Sequence, residues 1–334
     1  MVDVTVVLPI YNPLRRSDTY LTDAIASVLA QDYDNFELII VDDGSTEDCS
    51  HIIDKYKGNA KIKFYRKENG GQSSARNYGA RLGSGEYLAF IDQDDVWYKI
   101  RLTETVRAFQ LNQKNNCVMV YSDLDRIDSQ SRIMFRNYLR DFNMGVHPKT
   151  KVTHLLEQDA FILPGTMLVN RRQFLDLGGF NETLSGYEDD DLALRFFQKG
   201  YLIFINKSLI QWRIYQESYS YSERMDKSRS TYFCILVNSY PNDKDQNEYW
   251  VRDIIAPRFY RSWLYVYTIA LRINSRNKAR IARENLSETS KHLPLKCKLA
   301  ALLVSITPFG LSYFIYKTKI YRLLKNRLLR RLWR

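Results

Sequence analysis

The chain has 334 residues, of which 45% are hydrophobic and 26% charged, with only 14 Gly and 8 Pro. This composition excludes collagen-like, low-complexity and wholly disordered proteins, and the length predicts one large domain with an appendage, or two domains. The formal net charge of +11 comes from residues 291–334, which hold eleven of the 49 basic residues and no acidic residue. The rest of the chain is formally neutral, so the basic charge belongs to a C-terminal tail and not to a nucleic-acid-binding domain surface.

The cysteines and the N-terminus exclude two further classes. The four cysteines lack the close spacing that zinc sites and thiol redox motifs use, so we expect incidental thiols in a reducing compartment. They are Cys49, Cys117, Cys234 and Cys297. The N-terminus leads directly into an apolar run, without the basic and apolar segments of a secretory signal. We therefore expect the catalytic part to stay in the cytoplasm.

Strand-like and helix-like patterns alternate along the first 122 residues, as in a mainly parallel sheet with helices on both faces. The predicted strands are 4–9, 37–41, 61–65, 87–91 and 118–122, and the predicted helices are 21–29, 49–56, 73–82 and 100–112. A polar cluster follows most of the strands. Because open α/β sheets bind ligands at the carboxyl ends of their strands, these clusters are candidate site residues.

The pattern changes in the second half of the chain. Periodicity weakens from residue 123 to 164, and helical spacing dominates after residue 221, with Pro257 at a break or restart. Between these regions lie predicted strands at 167–170 and 201–205, and a helix that ends near Lys199. The predicted divisions are an α/β domain at 1–220, with halves 1–122 and 123–220, a helical extension at 221–290 and the basic tail at 291–334.

Three carboxylates lie within four positions after the predicted strand 87–91, in the sequence Asp92-Gln93-Asp94-Asp95. Such a cluster repels itself unless a cation is shared, and Mg²⁺ or Mn²⁺ commonly binds through one or two carboxylates plus substrate phosphates. The cluster therefore suggests a metal that bridges a diphosphate. The alternative is a solvated turn in which Asp95 caps the next helix.

Two neighbouring strand ends carry side chains suited to a nucleotide. Tyr11 follows the first strand and can stack on a base, while Asp42 or Asp43 follows the second and can accept a hydrogen bond from base or ribose. The segment Asn69–Asn77 resembles a phosphate-binding glycine loop that opens a helix, without the lysine and spacing of a P-loop. Arg76 in this segment can reach a nucleotide or pair locally.

Four successive carboxylates open another predicted helix, in the sequence Glu188-Asp189-Asp190-Asp191. A helix N-terminus stabilises negative charge, so an ordinary acidic first turn is one interpretation. The functional interpretation is a general base that takes the proton from an attacking hydroxyl. The sequence alone does not choose among the four.

In their order and spacing these stretches resemble the family 2 glycosyltransferases, which have the GT-A fold. The matching segments are 6–12, 27–33, 36–46, 69–77, 85–97, 178–182 and 188–195. The resemblance implies a Rossmann-like α/β sheet whose half 1–122 binds the nucleotide-sugar and whose half 123–220 binds the acceptor. A helical C-terminal extension follows.

The resemblance also implies residue roles. The residues implied in nucleotide-sugar binding are Pro9, Tyr11, Asp42, Asp43, Arg76, Asp92 and Gln93. Asp94 resembles the main Mn²⁺ or Mg²⁺ ligand of a D-x-D element, with Asp95 as a second candidate. Asp189 is similar in position to the catalytic base, and Glu188 and Asp191 are expected to support it at the acceptor side.

The implied chemistry is a single inverting displacement, in which Asp189 deprotonates an acceptor hydroxyl that attacks the anomeric carbon of a nucleotide-diphosphate sugar, most simply a UDP-sugar. Many relatives carry an Arg-x-His motif where this chain has Arg213-Ile214-Tyr215, so metal binding is expected to rest on carboxylate, diphosphate and water. The Gln-x-x-Arg-Trp motif of processive synthases is absent, which favours transfer of one sugar per encounter. The alternatives are a polyprenyl-phosphate glycosyltransferase and a catalytically silent GT-A scaffold or sugar-binding subunit.

The basic tail indicates a membrane surface. Residues 299–316 are mainly apolar but are interrupted by Pro308 and Gly310, and leucines interleaved with basic residues follow up to Arg334. This pattern favours a cationic amphipathic helix on an anionic membrane over packing on the protein or a partner, and over a transmembrane span. We expect a peripheral protein at the cytoplasmic face of the membrane that extends a glycan or lipid-linked glycan acceptor in surface polysaccharide synthesis.

Overall fold

A computed structural model describes residues 2–15, 17–214, 223–295, 297–298 and 312. The chain divides into two compact units, residues 1–155 with 159–228, and residues 156–158 with 229–334. All the candidate site residues lie in the first unit. The predictions for Tyr215 and for residues 299–334 fall outside the described residues, apart from Ser312.

The first unit is built on one mixed sheet. Its strands are β1 Val4–Ile10, β2 Phe36–Asp42, β3 Ile62–Arg66, β4 Tyr87–Phe90, β5 Val96–Trp97, β6 Cys117–Ile127, β7 Ile133–Phe135, β8 Met167–Asn170 and β9 Tyr201–Arg213. The helices are α1 Asp18–Leu29, α2 Ser50–Ile53, α3 Gln72–Leu82, α4 Arg101–Asn112, α5 Tyr138–Asp141, α6 Thr153–Leu156, α7 Arg171–Asp176 and α8 Glu188–Phe197. The strand order is β3-β2-β1-β4-β8-β6-β9-β5, with β7 paired to β6.

The four strands β3, β2, β1 and β4 are parallel. Three of them, β1, β2 and β4, are buried along their whole length, as apolar strands covered on both faces should be. The register places Ile10 opposite Asp42. The residues that follow β1 and β2 therefore emerge side by side at one edge of the sheet.

The other half of the sheet brings a distant strand to the same edge. β8 is antiparallel to both β4 and β6, whereas β6 and β9 run parallel to each other. The short strand β5 is antiparallel to β9, with Val96 opposite Gln211. Because β5 directly follows Asp95, this pairing places the acidic loop 92–95 beside Arg213 at the end of β9.

The structure confirms the predicted α/β class, with helices packed around a sheet and a helical C-terminal region. Two predictions of strand length were wrong: β6 continues past residue 122 to Ile127, and β9 continues past residue 205 to Arg213. The two strands pair along these extensions, with irregular register next to Asp123. Bulges of this kind break the alternation on which sequence interpretation depends.

The second unit is helical. α9 Glu223–Ser239 leads into it, and a π-helical turn, Val251–Ile255, continues into α10 Ala256–Arg272, which is followed by α11 Arg276–Ser290. Pro257 lies in the first turn of α10, directly after the π-helical turn, so the predicted break or restart falls where the helix changes from π to α geometry. Within the described ranges, no helix is both long and apolar enough to be a candidate transmembrane span.

Candidate active site

The loop after β1 is held in place by the acidic loop after β4. The Tyr11 backbone N–H donates to Gln93 Oε1 at 2.9 Å, and Gln93 Nε2 donates to the Tyr11 carbonyl at 3.2 Å. Pro9 lies inside the buried strand β1. The Tyr11 ring is 45% exposed, which leaves it available to stack on a planar group. The Gln93 amide therefore orients the loop that carries Tyr11.

Asn12, which the sequence analysis did not single out, ties the loops after β1 and β2 together. Its Oδ1 accepts from the Thr46 N–H at 2.8 Å, and its own N–H donates to Ser45 Oγ at 3.0 Å. Asn12 has a positive φ of 44°, a conformation that asparagine tolerates better than most residues. An asparagine directly before Pro13 was the available sequence signal.

Asp42 borders a cavity of about 530 Å³ at the ends of β1, β2 and β3. Its Oδ1 accepts from the Ser45 N–H at 2.8 Å, and its Oδ2 lies 3.3 Å from Arg66 Nη1. The cavity is also lined by Tyr65 and by the first turn of α2. Asp42 therefore presents a positioned carboxylate to a cavity with both polar and aromatic walls.

Asp43, the other acid of the pair, is buried, and both of its carboxylate oxygens accept hydrogen bonds. Its Oδ1 lies 2.9 Å from Lys67 Nζ and accepts from the Gly70 N–H at 3.0 Å. Its Oδ2 accepts from the Gly71 N–H at 2.7 Å. The Asp43 carboxylate therefore fixes the glycine loop that opens α3, and Asp42 is the member of the pair that borders the cavity.

Arg76 joins the two acidic segments of the site. Its side chain is 1% exposed, with Nη2 2.6 Å from Asp92 Oδ1 and Nη1 3.3 Å from Glu188 Oε1. Burial alone would lower the pKa of this guanidinium, but the charges of Asp92 and Glu188 outweigh burial and raise it. Gln72 Nε2 also donates to Asp92 Oδ1, at 2.9 Å. Arg76 is therefore a buried cation shared between the acidic loop and the start of α8.

The acids of the loop 92–95 occupy different environments. Asp95 is 3% exposed, and its Oδ1 accepts from the Arg213 N–H at 3.0 Å. Burial, followed by the charges of Asp94 and Asp92, raises the pKa of the Asp95 carboxyl well above its ordinary value. The Asp94 side chain stays partly exposed, while its carbonyl accepts from Arg213 Nε at 2.8 Å. The loop therefore turns Asp95 inward and keeps Asp94 at the surface of the site.

Arg213 was not predicted as a site residue, although the structure places it against the acidic loop. It is 2% exposed. Besides its bond to the Asp94 carbonyl, it donates from Nη1 to Ser131 Oγ at 2.8 Å and lies over the Tyr20 ring at 4.1 Å. The signal in the sequence was its position at the arginine of the Arg-x-His motif that many relatives carry.

The residues of the acidic loop fit a divalent-cation site whose coordination the nucleotide completes. In the part of the chain that the structure describes, no group of three or more His, Cys, Asp or Glu side chains is arranged to hold a metal ion. Asp94 and the second oxygen of Asp95 supply hard oxygen donors, and a cation would relieve the charge repulsion that, together with the larger effect of burial, raises the pKa of Asp95. Mg²⁺ and Mn²⁺ are usually bound in this way, by one or two carboxylates together with phosphates and water.

Three of the four acids at the start of α8 hold other segments in place. Glu188 pairs with Arg76 and accepts from the Gly186 N–H at 2.7 Å. Asp190 accepts from the Ala160 N–H at 2.9 Å. Asp191 lies 2.6 Å from Arg195 Nη2, and the same arginine donates to the carbonyls of Leu177 and Gly179. These three carboxylates therefore have structural partners.

Asp189 differs from its three neighbours. Its side chain is partly exposed, its Oδ1 accepts from the adjacent Asp190 N–H at 2.9 Å, and within the described residues no ion pair holds it. Burial, and then the charges of Asp190 and Glu188, raise the pKa of its carboxyl well above the ordinary value. A raised pKa brings the pKa of this carboxyl closer to neutral pH, where a general base is most effective. Asp189 directly follows Glu188, which shares Arg76 with Asp92, so the acid lies close to the loop 92–95.

The chain is similar in sequence to known glycosyltransferases and to a teichoic acid biosynthesis protein. An uncharacterized glycosyltransferase of Rickettsia bellii is 28% identical over 240 residues, 71% of this chain, and the match spans about a third (32%) of that longer protein. The minor teichoic acid biosynthesis protein GgaB of Bacillus subtilis is 41% identical over 100 residues, 28% of this chain and 10% of GgaB.

The crystal structure of S. aureus TarS residues 1–349 in complex with UDP-GlcNAc shares the fold. Its TM-score is 0.64 at 17% identity, covering 97% of this chain and 91% of that one. The sequence model of the family described as glycosyl transferase family 2 matches residues 5–178, slightly more than half of the chain. From this match, the chain belongs to glycosyl transferase family 2.

Proposed function

We propose that this chain is a metal-dependent inverting glycosyltransferase that moves a sugar from a UDP-sugar to a glycan or lipid-linked glycan acceptor in surface polysaccharide synthesis. The observation that carries the proposal is the contact of one buried arginine, Arg76, with both Asp92 and Glu188. This contact brings the acidic loop after β4 next to the acidic start of α8. A metal-binding carboxylate and a general base must lie this close to act on one sugar donor.

Asp189 is the proposed base. Its raised pKa and partial exposure suit a group that accepts a proton from an acceptor hydroxyl, whereas Glu188, Asp190 and Asp191 are already engaged. The acceptor oxygen forms a bond to the anomeric carbon as the bond to the diphosphate breaks. The proton passes to Asp189, and the electron pair leaves with the diphosphate.

Asp94 is the proposed principal metal ligand, with Asp95 as the second. When bound, Mn²⁺ or Mg²⁺ neutralises charge on the diphosphate leaving group. Asp92 is held by Arg76 and Gln72, so its carboxylate is positioned for a ribose hydroxyl and is already charge-compensated.

The nucleoside is proposed to lie against the ends of β1 and β2. Asp42 can accept a hydrogen bond from a base N–H, and the exposed Tyr11 ring can stack on the base. Pro9, Asp43 and Arg76 position these groups. Pro9 does so as part of β1, Asp43 by fixing the glycine loop, and Arg76 by pairing with the acidic loop. TarS, which has this fold, has been crystallised with UDP-GlcNAc and with UDP, which supports a uridine nucleotide here.

The acceptor class and the place of action rest on less direct support. GgaB, which matches part of the chain, is described as a minor teichoic acid biosynthesis protein, which supports a cell-surface polymer as acceptor. The cationic pattern of residues 291–334 supports peripheral attachment to an anionic membrane surface. The division of the first domain into a nucleotide-sugar half and an acceptor half stays part of this proposal.

Nucleotide binding tests the proposal. Melting temperature is measured with UDP, GDP, CDP or dTDP, each with Mn²⁺ or with a chelator, since a ligand at a hundred times its Kd stabilises a fold by about 2.7 kcal/mol. We expect stabilisation by UDP that requires Mn²⁺, weakened by Asp42→Asn and unchanged by the exposed control Asp54→Asn. No stabilisation by any nucleotide would contradict the proposal.

A further inference from the structure

The turn between α10 and α11, in the second unit, carries concentrated positive charge. Five basic residues and no acidic residue occur from 272 to 283, namely Arg272, Arg276, Lys278, Arg280 and Arg283. Arg280 pairs with Glu284 at 2.7 Å. Within the described residues, no carboxylate forms an ion pair with Arg272 or Arg276. This turn is therefore electropositive, and it belongs to a folded part of the chain that precedes the basic tail.

The same turn exposes apolar side chains beside the charges. Ile273 is 57% exposed at the turn, between Arg272 and Arg276, and Tyr265 is 58% exposed two helical turns earlier in α10. In a helix, positions 265, 269 and 272 or 273 fall on one face. An exposed tyrosine and an exposed isoleucine flanked by arginines form a mixed apolar and cationic surface, which we call the hairpin surface: Tyr265, Arg272, Ile273, Arg276 and Arg280.

The hairpin surface is held rigidly by the opposite faces of its two helices. Leu271, Ala279 and Ala282 are at most 1% exposed. The Ser275 side chain caps α11 by accepting from the Lys278 N–H at 3.3 Å, and the Ser275 N–H donates to the Ala270 carbonyl at 2.9 Å. The exposed apolar and cationic groups are therefore presented by a fixed hairpin and not by a flexible loop.

We propose that the hairpin surface binds the surface of an anionic lipid bilayer. Each basic residue near such a surface contributes about 1 kcal/mol of attraction, and tyrosine and aliphatic side chains partition into the headgroup region. A purely polyanionic partner, such as a nucleic-acid duplex, would not bury the exposed aliphatic side chain of Ile273. A second copy of this chain would be repelled by the like charge.

The position of the hairpin in the chain supports the same partner. α11 ends at Ser290, directly before the basic segment 291–334 that the sequence analysis assigns to a membrane surface. One weak membrane signal gives marginal attachment, and stable attachment takes two. The hairpin surface supplies a second contact that is separate in sequence from the tail.

Binding of the full-length chain to vesicles tests the proposal. We compare vesicles of phosphatidylcholine with vesicles of phosphatidylcholine and phosphatidylglycerol, using the triple variant Arg272→Gln/Arg276→Gln/Arg280→Gln. The matched control removes three exposed charges from the first unit, in Lys55→Gln/Arg107→Gln/Lys114→Gln. We expect affinity for the anionic vesicles to fall on the order of 100-fold in the first variant, and to be nearly unchanged in the control. Equal affinities of the two variants would overturn the proposal.

A second variant separates a bilayer from a soluble polyanion. Tyr265→Ser/Ile273→Ser keeps all five charges, and we expect it to lower vesicle affinity about tenfold even at high salt, where charge attraction is screened. If this variant binds anionic vesicles as tightly as the parent, the hairpin surface binds polyanions and not a bilayer, and the proposal is wrong. Melting temperature and the response to UDP serve as controls for folding in every variant.

Discussion

The two acidic segments of the site, the loop 92–95 and the start of α8, look alike in sequence but differ in how the fold uses them. In the loop, two acids are engaged, Asp92 by Arg76 and Asp95 by the Arg213 N–H. In α8, three acids are engaged by a cation or by a backbone amide of another segment, and Asp189 is the exception.

The comparison shows that a run of adjacent carboxylates is not a set of equivalent ligands. Most of these carboxylates accept hydrogen bonds from buried N–H groups or balance a buried cation. Removing such a carboxylate destabilises the fold, because the N–H group or the cation is then buried without a partner. The acids that we propose for the chemistry are Asp94 in the loop and Asp189 in α8, and both are partly exposed.

The largest effect is expected from removing the cation that the two segments share. Arg76→Met leaves Asp92 and Glu188 facing each other without compensation, and breaking a buried pair in this way costs about 3 kcal/mol or more. Urea unfolding measures the loss of stability, and calorimetry with UDP and Mn²⁺ measures the loss of affinity. The control Arg81→Met removes an exposed arginine of the same helix. Equal stability of the two variants would show that Arg76 does not join the segments.

The last two acids of the loop, Asp94 and Asp95, should differ in how much they contribute to metal-dependent UDP binding. Asp94→Asn should lower UDP affinity in the presence of Mn²⁺ at least about tenfold, equivalent to 1.4 kcal/mol. Asp95→Asn keeps an oxygen that accepts from the Arg213 N–H, so its effect should be smaller. Isothermal titration with and without Mn²⁺ measures both. The reverse ranking would move the main ligand to Asp95.

A smaller effect is expected at Asp191, which pairs with Arg195 four residues later. Asp191→Asn should lower the free energy of unfolding by about 1 kcal/mol, because it weakens a charge-assisted hydrogen bond between a buried carboxylate and a partly exposed arginine. The transfer rate of the folded protein should be unchanged. Asp176→Asn, which removes the acid of an exposed pair at the same spacing with Arg172, is the control and should cost less. A large loss of transfer without loss of stability would instead place Asp191 at the acceptor.

The pH dependence of kcat tests the assignment of Asp189 as the general base. Only the ionised carboxylate can take a proton, so the raised pKa predicts that kcat falls about tenfold per unit as pH drops below that pKa. The inflection should lie above the ordinary pKa of an aspartate. Glu188→Gln removes one of the charges that raise this pKa, so it should move the inflection to lower pH. An inflection that stays in place would show that another group titrates.

The sequence predicted the parallel half of the fold well because three of its four strands, β1, β2 and β4, are mainly apolar and buried along their whole length. β1 and β2 are covered on both faces, so their runs of valine, isoleucine and leucine are unmistakable. The ends of β6 and β9 were missed because polar residues interrupt them. Asp123 lies within β6, and its carboxylate accepts from the Leu124 and Leu139 N–H groups, the second of which belongs to a distant segment.

The two acidic segments could also be found from the sequence, but the partners of their individual acids could not. The partners that engage them lie far away in sequence: Arg213 is 118 residues from Asp95, and Ala160 is 30 residues from Asp190. Both partners use backbone N–H groups, which leave no trace in the residue type. The family resemblance already pointed to Asp94 and Asp189, but the partners that engage the neighbouring acids are visible only in the fold.

The most direct test of the central claim is transfer by Asp189→Asn, measured beside its affinity for UDP with Mn²⁺. We predict that kcat falls about 10²- to 10⁴-fold, the usual contribution of a general base, while UDP affinity and melting temperature stay close to those of the parent. The exposed control Asp176→Asn should retain full activity. Transfer by Asp189→Asn at the parental rate would contradict the assignment of the base.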